Sequence, residues 1–331
     1  MFSSLRTKGE ILDLIEFQDK IFANQPDISL DYNVDPHFMI DSLIYFIRIR
    51  PFFLEKIVDF MSKIVHDSKI STIILMKSVQ FCPVLCYYLF KNGRYDLDTV
   101  RKQLKEARNY ISYLYFRDFL DDFDILTKPI IKMDLKIPNS LEEVIKTGFE
   151  PNSLGYIIKY DDLDRLKCTF ENPMIELESP IEWSVFEWSL VPEDLTPFSV
   201  SAFFGSLNCF KYFLVSGCRV NNDIINSLIF SCQFDMIHSF SQFICEESLK
   251  YAIMYCRSEL VDWMLEKYDL SYVHEVNLRS ILYCVEKGNG ILNAEYTNIP
   301  PLHYALEMNH EIVIHFLLEN GADPNEIGIN L

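Results

Sequence analysis

The chain has 331 residues, of which 49% are hydrophobic and 24% are charged, a balance that fits a large buried core and excludes a largely disordered protein. Its 48 acidic residues exceed its 30 basic residues by 18, and this negative charge disfavours DNA and RNA as partners. Charged residues interrupt each apolar run, and the first ten residues lack the apolar core of a secretory signal. We therefore expect no membrane partner and an intracellular, cytoplasmic location.

The nine cysteines are an odd number and are scattered along the chain, which indicates reduced thiols and not a disulfide scaffold. Only Cys82 and Cys86 lie close together. They have no second pair of cysteines or histidines nearby to complete a tetrahedral metal site. We therefore predict that the cysteines are buried and have a structural role.

Residues 1–125 are predicted to form an N-terminal helical region, because apolar residues recur there at spacings of three and four. No alternating strand pattern of any length interrupts them, so the sequence favours an all-α protein. The apolar stripes are Ile11, Leu14, Ile15 and Phe22; Ile40, Leu43, Ile44 and Ile47; Leu54, Ile57, Val58, Met61 and Val65; and Leu97, Val100, Leu104, Ala107, Ile111 and Leu114, the last predicting the longest helix.

Two segments resemble one another around a glycine at a helix end. Leu89–Gly93 has the same pattern as Leu317–Gly321, which indicates either a degenerate repeat or an ordinary helix end. A stronger match follows at 148–152, where glycine, an acid, proline and asparagine recur as they do at 321–325. Residues 153–170 are predicted to be a helix pair with Asp162 as a cap, whereas 174–192 fit no repeat.

The segment 196–221 is predicted to be one complete repeat. It opens with Thr196 and a proline, continues through an apolar helix and ends in a glycine and a turn. Two shortened helix pairs are predicted after it, at 228–243 with Cys232 in a small-residue position and at 249–268. Laid without a gap over the segment 299–325, this repeat has four identities: Pro197 with Pro301, Leu214 with Leu318, Gly217 with Gly321, and Asn221 with Asn325.

The segment 299–325 resembles an ankyrin repeat. That repeat has an opening of the form Thr-Pro-Leu-His-x-Ala, a second apolar helix and a Gly-Ala-Asp ending. Pro300 replaces the usual threonine, which predicts a weakened repeat. The matching residues here are Pro301, Leu302, His303 and Ala305, then Val313, Leu317 and Leu318, then Gly321, Ala322 and Asp323.

The resemblance implies a degenerate ankyrin-repeat solenoid over 140–331, with its clearest repeats at 196–221 and 299–325. The whole arrangement is similar to the expanded ankyrin-repeat proteins of trichomonad protists, which carry a domain of unknown function before their repeats. The family binds other proteins. A protein-binding module or scaffold with an unidentified protein partner and no catalytic activity is therefore implied.

In ankyrin folds the first helix of each repeat lines a concave groove, where partners usually bind. The resemblance therefore implies partner binding at six positions of this chain. A groove lined by apolar and aromatic side chains would suit a helix or an extended peptide. The alternative is that neighbouring helices cover these rings, because large exposed apolar patches are uncommon. The six positions are Val200, Phe203, Phe204, Tyr304, Glu307 and Met308.

No motif for metal, nucleotide or nucleophilic chemistry is complete. His310 and His315 flank a glutamate, but a zinc-binding helix needs histidines four residues apart, and a spacing of five turns the second by roughly 140°. We expect no cofactor, no metal and no small-molecule ligand. Two alternatives remain open: an enzyme with its site in the N-terminal helical half, and an assembly protein that self-associates.

Overall fold

The computed structural model describes residues 36–107, 110–120, 141–172, 175–190, 195–255, 257–267, 302, 314, 317–318 and 322–325. Within these residues the regular elements are helices and no strand occurs, which agrees with the predicted all-α class. The described residues divide into two compact units, 36–197 and 198 onward. The domain boundaries predicted from the sequence, 1–125 and 140–331, stay predictions.

The first unit contains nine α-helices among its described residues, with short 3-10 turns at Pro51–Phe53 and Arg117–Phe119. The helices are α1 (Pro36–Ile49), α2 (Leu54–Ile64), α3 (Ser68–Phe81), α4 (Pro83–Lys91), α5 (Leu97–Ala107), α6 (Tyr110–Tyr115), α7 (Leu141–Thr147), α8 (Leu154–Lys159) and α9 (Leu163–Phe170).

The apolar stripes of α1 and α2 form much of the core of this unit. Ile40, Leu43 and Ile47 of α1 are fully buried, as are Ile57 and Met61 of α2, so both predicted helices are confirmed. Helix α1 packs on α3, and α2 packs on α4. The first predicted stripe, from residue 11 to residue 22, lies outside the described residues.

The fourth stripe differs from its prediction of one longest helix. The structure describes α5 and α6 there as separate helices of 11 and 6 residues, with 108–109 outside the described residues. The longest described helices are α1 and α3, with 14 residues each. Helix α3 has no clear apolar stripe in the sequence because it packs against α1, α4 and α5 on different sides.

The helix pair predicted at 153–170 is present as α8 and α9, and α7 precedes it. Gly148 follows α7 with a φ of +84°, a left-handed conformation that glycine adopts without strain. Asp162 caps α9 by accepting a hydrogen bond from the Arg165 backbone N–H at 3.1 Å, as predicted. Residues 175–190, which fit no repeat, contain no helix and supply several of the most buried side chains of the unit.

The second unit contains three consecutive helix pairs within 197–265. Helix α12 packs on α14, and each of these two packs on the helix that follows it. The members are α10 (Pro197–Phe204) with α11 (Leu207–Val215), α12 (Asn222–Ser231) with α13 (Phe234–Ser239), and α14 (Glu246–Met254) with α15 (Ser258–Leu265).

The middle pair begins and turns differently from its prediction. Helix α12 starts at Asn222, because the side chain of Asn221 accepts a hydrogen bond from the Ile224 N–H at 2.9 Å and so caps it. Cys232, predicted at a small-residue position within the helix pair, is the left-handed residue that ends α12, with a φ of +57°. The pair therefore lies at 222–239 and not at 228–243.

Six helix ends among the described residues share one hydrogen bond, in which a backbone N–H donates to the carbonyl five residues earlier. This bond satisfies a carbonyl that the helix itself leaves open, and it turns the chain sharply into the next helix. It occurs at Arg94 to Leu89, Asp162 to Ile157, Ser206 to Ser201, Cys218 to Phe213, Arg257 to Ala252 and Ala322 to Leu317, at 2.9–3.1 Å.

Candidate partner-binding surface

The two segments that resemble one another in sequence also share the exposure of three aligned positions. With 196–221 laid over 299–325 without a gap, Phe198 falls on Leu302, and these side chains are 3% and 2% exposed. Phe213 falls on Leu317, and both are fully buried. The next residues, Leu214 and Leu318, are 37% and 38% exposed. At these three positions the two segments agree, whereas Phe210 is buried where Ile314 is half-buried, and Cys218 is half-buried where Ala322 is buried.

The ends of their second helices correspond as well. The Cys218 N–H donates to the Phe213 carbonyl at 3.1 Å, and the Ala322 N–H donates to the Leu317 carbonyl at 3.0 Å. Gly217, which directly precedes Cys218, has a φ of +94°. Because this bond also ends unrelated helices of the chain, it supports the correspondence only together with the burial pattern.

The turn that ends the later segment is held by a side-chain hydrogen bond. The side chain of Asp323 accepts a hydrogen bond from the Asn325 N–H at 2.9 Å, which fixes the turn at the end of the later segment. Most other repeat-defining residues of this segment, and half of the predicted partner-binding residues, lie outside the described residues: Pro301, His303, Tyr304, Ala305, Glu307, Met308 and Gly321.

The three partner-binding residues predicted on α10 are buried. Val200, Phe203 and Phe204 are 0%, 2% and 7% exposed. The Phe203 ring stacks on the Phe230 ring of α12, with 3.9 Å between centroids and 14° between planes. The prediction that these three residues line an exposed groove is therefore wrong for the folded chain, because the neighbouring helix covers their side chains.

The ring contacts continue from pair to pair through the second unit. Phe230 also contacts Tyr255, just after α14, at 4.9 Å between centroids. On the second helices, Phe210 of α11 contacts Phe240 after α13 at 5.9 Å. Each described helix pair therefore buries aromatic side chains against the next, which is how short helix pairs build a continuous core.

Some apolar residues of α11 are exposed instead. Val215 is 89% exposed, and Leu207 and Leu214 are each 37% exposed. These residues lie seven and eight positions apart, on one side of the helix. The repeat position of Leu214 predicts a core residue, but the structure leaves its side chain partly exposed.

A cavity of about 460 Å³ lies beside the end of α15 in the second unit. Its walls combine the aromatic ring of Trp263 and the buried side chains of Ile244 and Met264 with the polar side chains of Gln242 and Glu266. The His238 ring of α13 contacts Trp263 at 4.8 Å between centroids. Nothing in the sequence pattern indicated a cavity here, since its residues come from two different helix pairs.

The buried ionisable groups of the first unit do not assemble reactive chemistry in the described part of the chain. Burial raises the pKa of the Cys82 thiol from 9.0 to about 12 and that of Cys86 further, so both stay protonated and unreactive. Burial likewise raises the pKa of Tyr115 well above its usual value. Lys159 and Glu187 are both buried but form an ion pair with each other.

Two further kinds of site are absent from the described residues. No group of three or more His, Cys, Asp or Glu side chains is arranged there to hold a metal ion. None of the helices described combines the length and the apolar character needed to cross a bilayer.

One segment of the chain matches a known family model. Residues 298–329 match the family model described as Ankyrin repeat. A search of curated proteins finds no match. The matched residues contain Leu302, Leu317 and Ala322, whose burial and helix-end hydrogen bond were described above. An ankyrin repeat indicates a protein–protein interaction module, and such repeats are generally not catalytic.

Proposed function

We propose that this chain binds a protein partner through a series of ankyrin-type helix pairs that extends beyond the matched repeat. The observation that carries the proposal is the shared register of 196–221 and 299–325: three aligned positions have the same exposure, and the same hydrogen bond ends the second helix. The helix pairs between the two segments, α12–α13 and α14–α15, support a continuous solenoid by their ring contacts.

The binding surface is proposed to be the first-helix face of the later repeats. Val200, Phe203 and Phe204 pack inside the second unit, which leaves Tyr304, Glu307 and Met308 as the family-derived positions for direct contact. The helices before the repeats would then correspond to the domain that precedes the repeats in the trichomonad proteins. We also propose that the protein is located inside the cell, which fractionation of the source cells tests.

The experiment compares partner capture by matched variants of the full chain. Proteins cross-linked to the purified chain in extract are identified, expressed and titrated against three proteins: the unchanged chain, the triple variant Tyr304→Ala, Glu307→Ala and Met308→Ala, and Val215→Ala. Val215 is 89% exposed on α11, so its replacement controls for a general loss of surface contacts. Circular dichroism confirms that each variant is folded.

Binding that the triple variant loses and Val215→Ala retains supports the proposal. A partner that binds the triple variant and the unchanged chain equally overturns the proposed face. If truncation after residue 297 also leaves that binding intact, the ankyrin repeat has no part in recognition and the proposed function fails as a whole.

A further inference from the structure

The cavity beside the end of α15 has an aromatic and apolar lining. Its volume of about 460 Å³ lies within the range of ligand sites in proteins. The half-buried ring of Trp263 lines the cavity, together with the buried side chains of Ile244 and Met264. A long side chain that entered the cavity would pack its methylene groups there, away from water.

Most of the polar side chains in the lining accept hydrogen bonds. The 3-10 turn that follows α13 supplies Ser241 and Gln242, and the end of α15 supplies Glu266 and Lys267. A hydroxyl, an amide oxygen and a carboxylate all accept hydrogen bonds, whereas an ammonium only donates them. A ligand rich in hydrogen-bond donors therefore matches three of these four side chains.

The carboxylate in the lining lies next to the aromatic ring. The turn of α15 continues past Leu265, because Glu266 has helical dihedral angles and the Lys267 N–H donates to the Met264 carbonyl at 3.0 Å. Residues three and four positions apart are neighbours on a helix, so Trp263 lies beside both charged residues. A cation on the face of the indole is therefore close to the Glu266 carboxylate.

The charges of the surrounding helices favour a cation. Within the lining, Glu266 and Lys267 carry opposite charges that balance. Helices α13 and α15 add three exposed acids, Asp235, Glu259 and Asp262, and they contain no lysine or arginine. The whole chain is likewise negative, with 18 acidic residues in excess. Such a charge distribution attracts basic ligands and opposes acidic ones.

We propose that this cavity binds the side chain of an arginine in a protein partner. The planar guanidinium stacks on the Trp263 ring, and it donates several hydrogen bonds while accepting none. Its methylene groups pack against Ile244 and Met264. None of the lining residues lies within 299–325, so this site does not rest on the proposed function, and its test needs no identified partner.

The test follows the three tryptophans of the full chain separately, by fluorine NMR of protein labelled with fluorotryptophan. Trp263→Phe identifies the signal of Trp263, while Trp183 and Trp188, in the first unit, are internal controls. The probe is arginine capped as its N-acetyl amide, titrated at low salt. We expect the Trp263 signal to shift saturably while the other two signals stay in place. Equal shifts of all three signals, or an unmoved Trp263 signal, would overturn the proposal.

Capped citrulline is the control for the probe, because it has the shape of arginine without the charge, and it should leave the Trp263 signal in place. Capped lysine, leucine and glutamate test the other occupants. Lysine that binds as tightly as arginine would show that no planar group is selected. Tighter binding of leucine would assign the cavity to an apolar side chain, and tighter binding of glutamate would assign it to an anion. Each of these results overturns the proposal, and tightest binding of arginine supports it.

Matched variants test the two charges of the lining. Glu266→Gln should raise the Kd of capped arginine by about twofold to fivefold, the size of an exposed ion pair. Glu259→Gln removes an exposed acid of α15 outside the lining and should raise the Kd less. Lys267→Gln should lower the Kd, because it removes a charge that repels the guanidinium. All three positions are exposed, and circular dichroism confirms that each variant is folded. Equal effects of the two glutamate replacements, or a raised Kd for Lys267→Gln, would overturn the proposal.

Discussion

The ammonium of Lys159 and the carboxylate of Glu187 form an ion pair inside the first unit, with 2.5 Å between Nζ and Oε2 and side chains only 3% and 0% exposed. The ammonium also donates to the Thr147 carbonyl at 2.9 Å. The second carboxylate oxygen accepts hydrogen bonds from the hydroxyl and the backbone N–H of Ser189. The pair therefore joins α7, α8 and the irregular segment 175–190.

Lys159→Met should destabilise the protein by about 3–5 kcal/mol, because it leaves the Glu187 carboxylate charged and buried without its counter-ion. The free energy of unfolding is measured by urea denaturation. The double variant Lys159→Met with Glu187→Leu should recover much of the loss, since neither charge is then buried.

The control for this prediction is Lys91→Met, which breaks a pair whose side chains are 36% and 71% exposed. An exposed pair contributes about 0–1 kcal/mol, so this variant should stay close to the unchanged chain. If Lys159→Met costs no more than Lys91→Met, the buried pair is not an anchor of the first unit.

Gly148→Ala should destabilise the protein more than Gly93→Ala does. Both glycines have positive φ, +84° and +69°, so each substitution carries a backbone cost of about 1–2 kcal/mol. A Cβ on Gly148 would also overlap the Glu187 carboxylate, whereas a Cβ on Gly93 meets no atom within 4 Å. The difference between the two unfolding free energies therefore measures the overlap, about 1–3 kcal/mol. Equal losses would show that Glu187 can move aside.

Local sequence patterns were sufficient to predict several of the helices and some of their ends. Asp162 predicted a helix start because an aspartate side chain accepts the open N–H groups of a first turn, and the structure has that bond. Gly93 and Gly148 predicted helix ends because glycine tolerates positive φ, and both have it. These features depend on neighbours within about five residues, so a single sequence contains them.

Features that depend on distant neighbours could not be predicted in the same way. Lys159 and Glu187 are 28 residues apart, and the segment that carries Glu187 has no periodic pattern. Phe203 illustrates the same limit, because its position in a repeat indicated a groove while its actual neighbour, Phe230, lies in the next helix pair. Burial of a side chain is set by what packs against it, which only the folded chain shows.

Phe203→Ala should destabilise the protein by about 3–5 kcal/mol, the cost of truncating a buried phenylalanine. Its ring is 2% exposed and stacks on Phe230, so its loss leaves a cavity between α10 and α12. Val215→Ala, at an 89% exposed position, is the control and should change stability by less than about 0.5 kcal/mol. A Phe203→Ala variant of unchanged stability that no longer binds a partner would instead favour an exposed groove.

Leu317→Ala should cost about 2–5 kcal/mol, since Leu317 is fully buried. Leu318→Ala should cost clearly less, because Leu318 is 38% exposed. The shared register predicts the same order in the earlier segment, with Phe213→Ala more costly than Leu214→Ala. Thermal denaturation of the four variants tests this, and a reversed order in either segment would contradict the register.

The stability of the protein should fall above pH 9. Burial raises the pKa of Cys82 from 9.0 to about 12, so the unfolded thiol ionises first. The stability that this group contributes is complete below pH 9 and is lost as pH rises toward 12, at about 1 kcal/mol per pH unit. Cys86 acts in the same direction.

The double variant Cys82→Ala with Cys86→Ala removes both thiols, and so separates their effect on stability from that of the buried tyrosines. The pKa of Tyr95 is raised from 10.0 to about 12, mainly by burial, so a loss of stability that begins above pH 10 should persist in the variant. The loss of stability between pH 9 and pH 10 should be smaller in the variant than in the unchanged chain. Alkylation provides a second measurement, since the exposed Cys168 and Cys245 should react in the native protein while Cys82 and Cys86 react only on unfolding. Rapid native alkylation of Cys82 would contradict its burial and, with it, the predicted pH dependence.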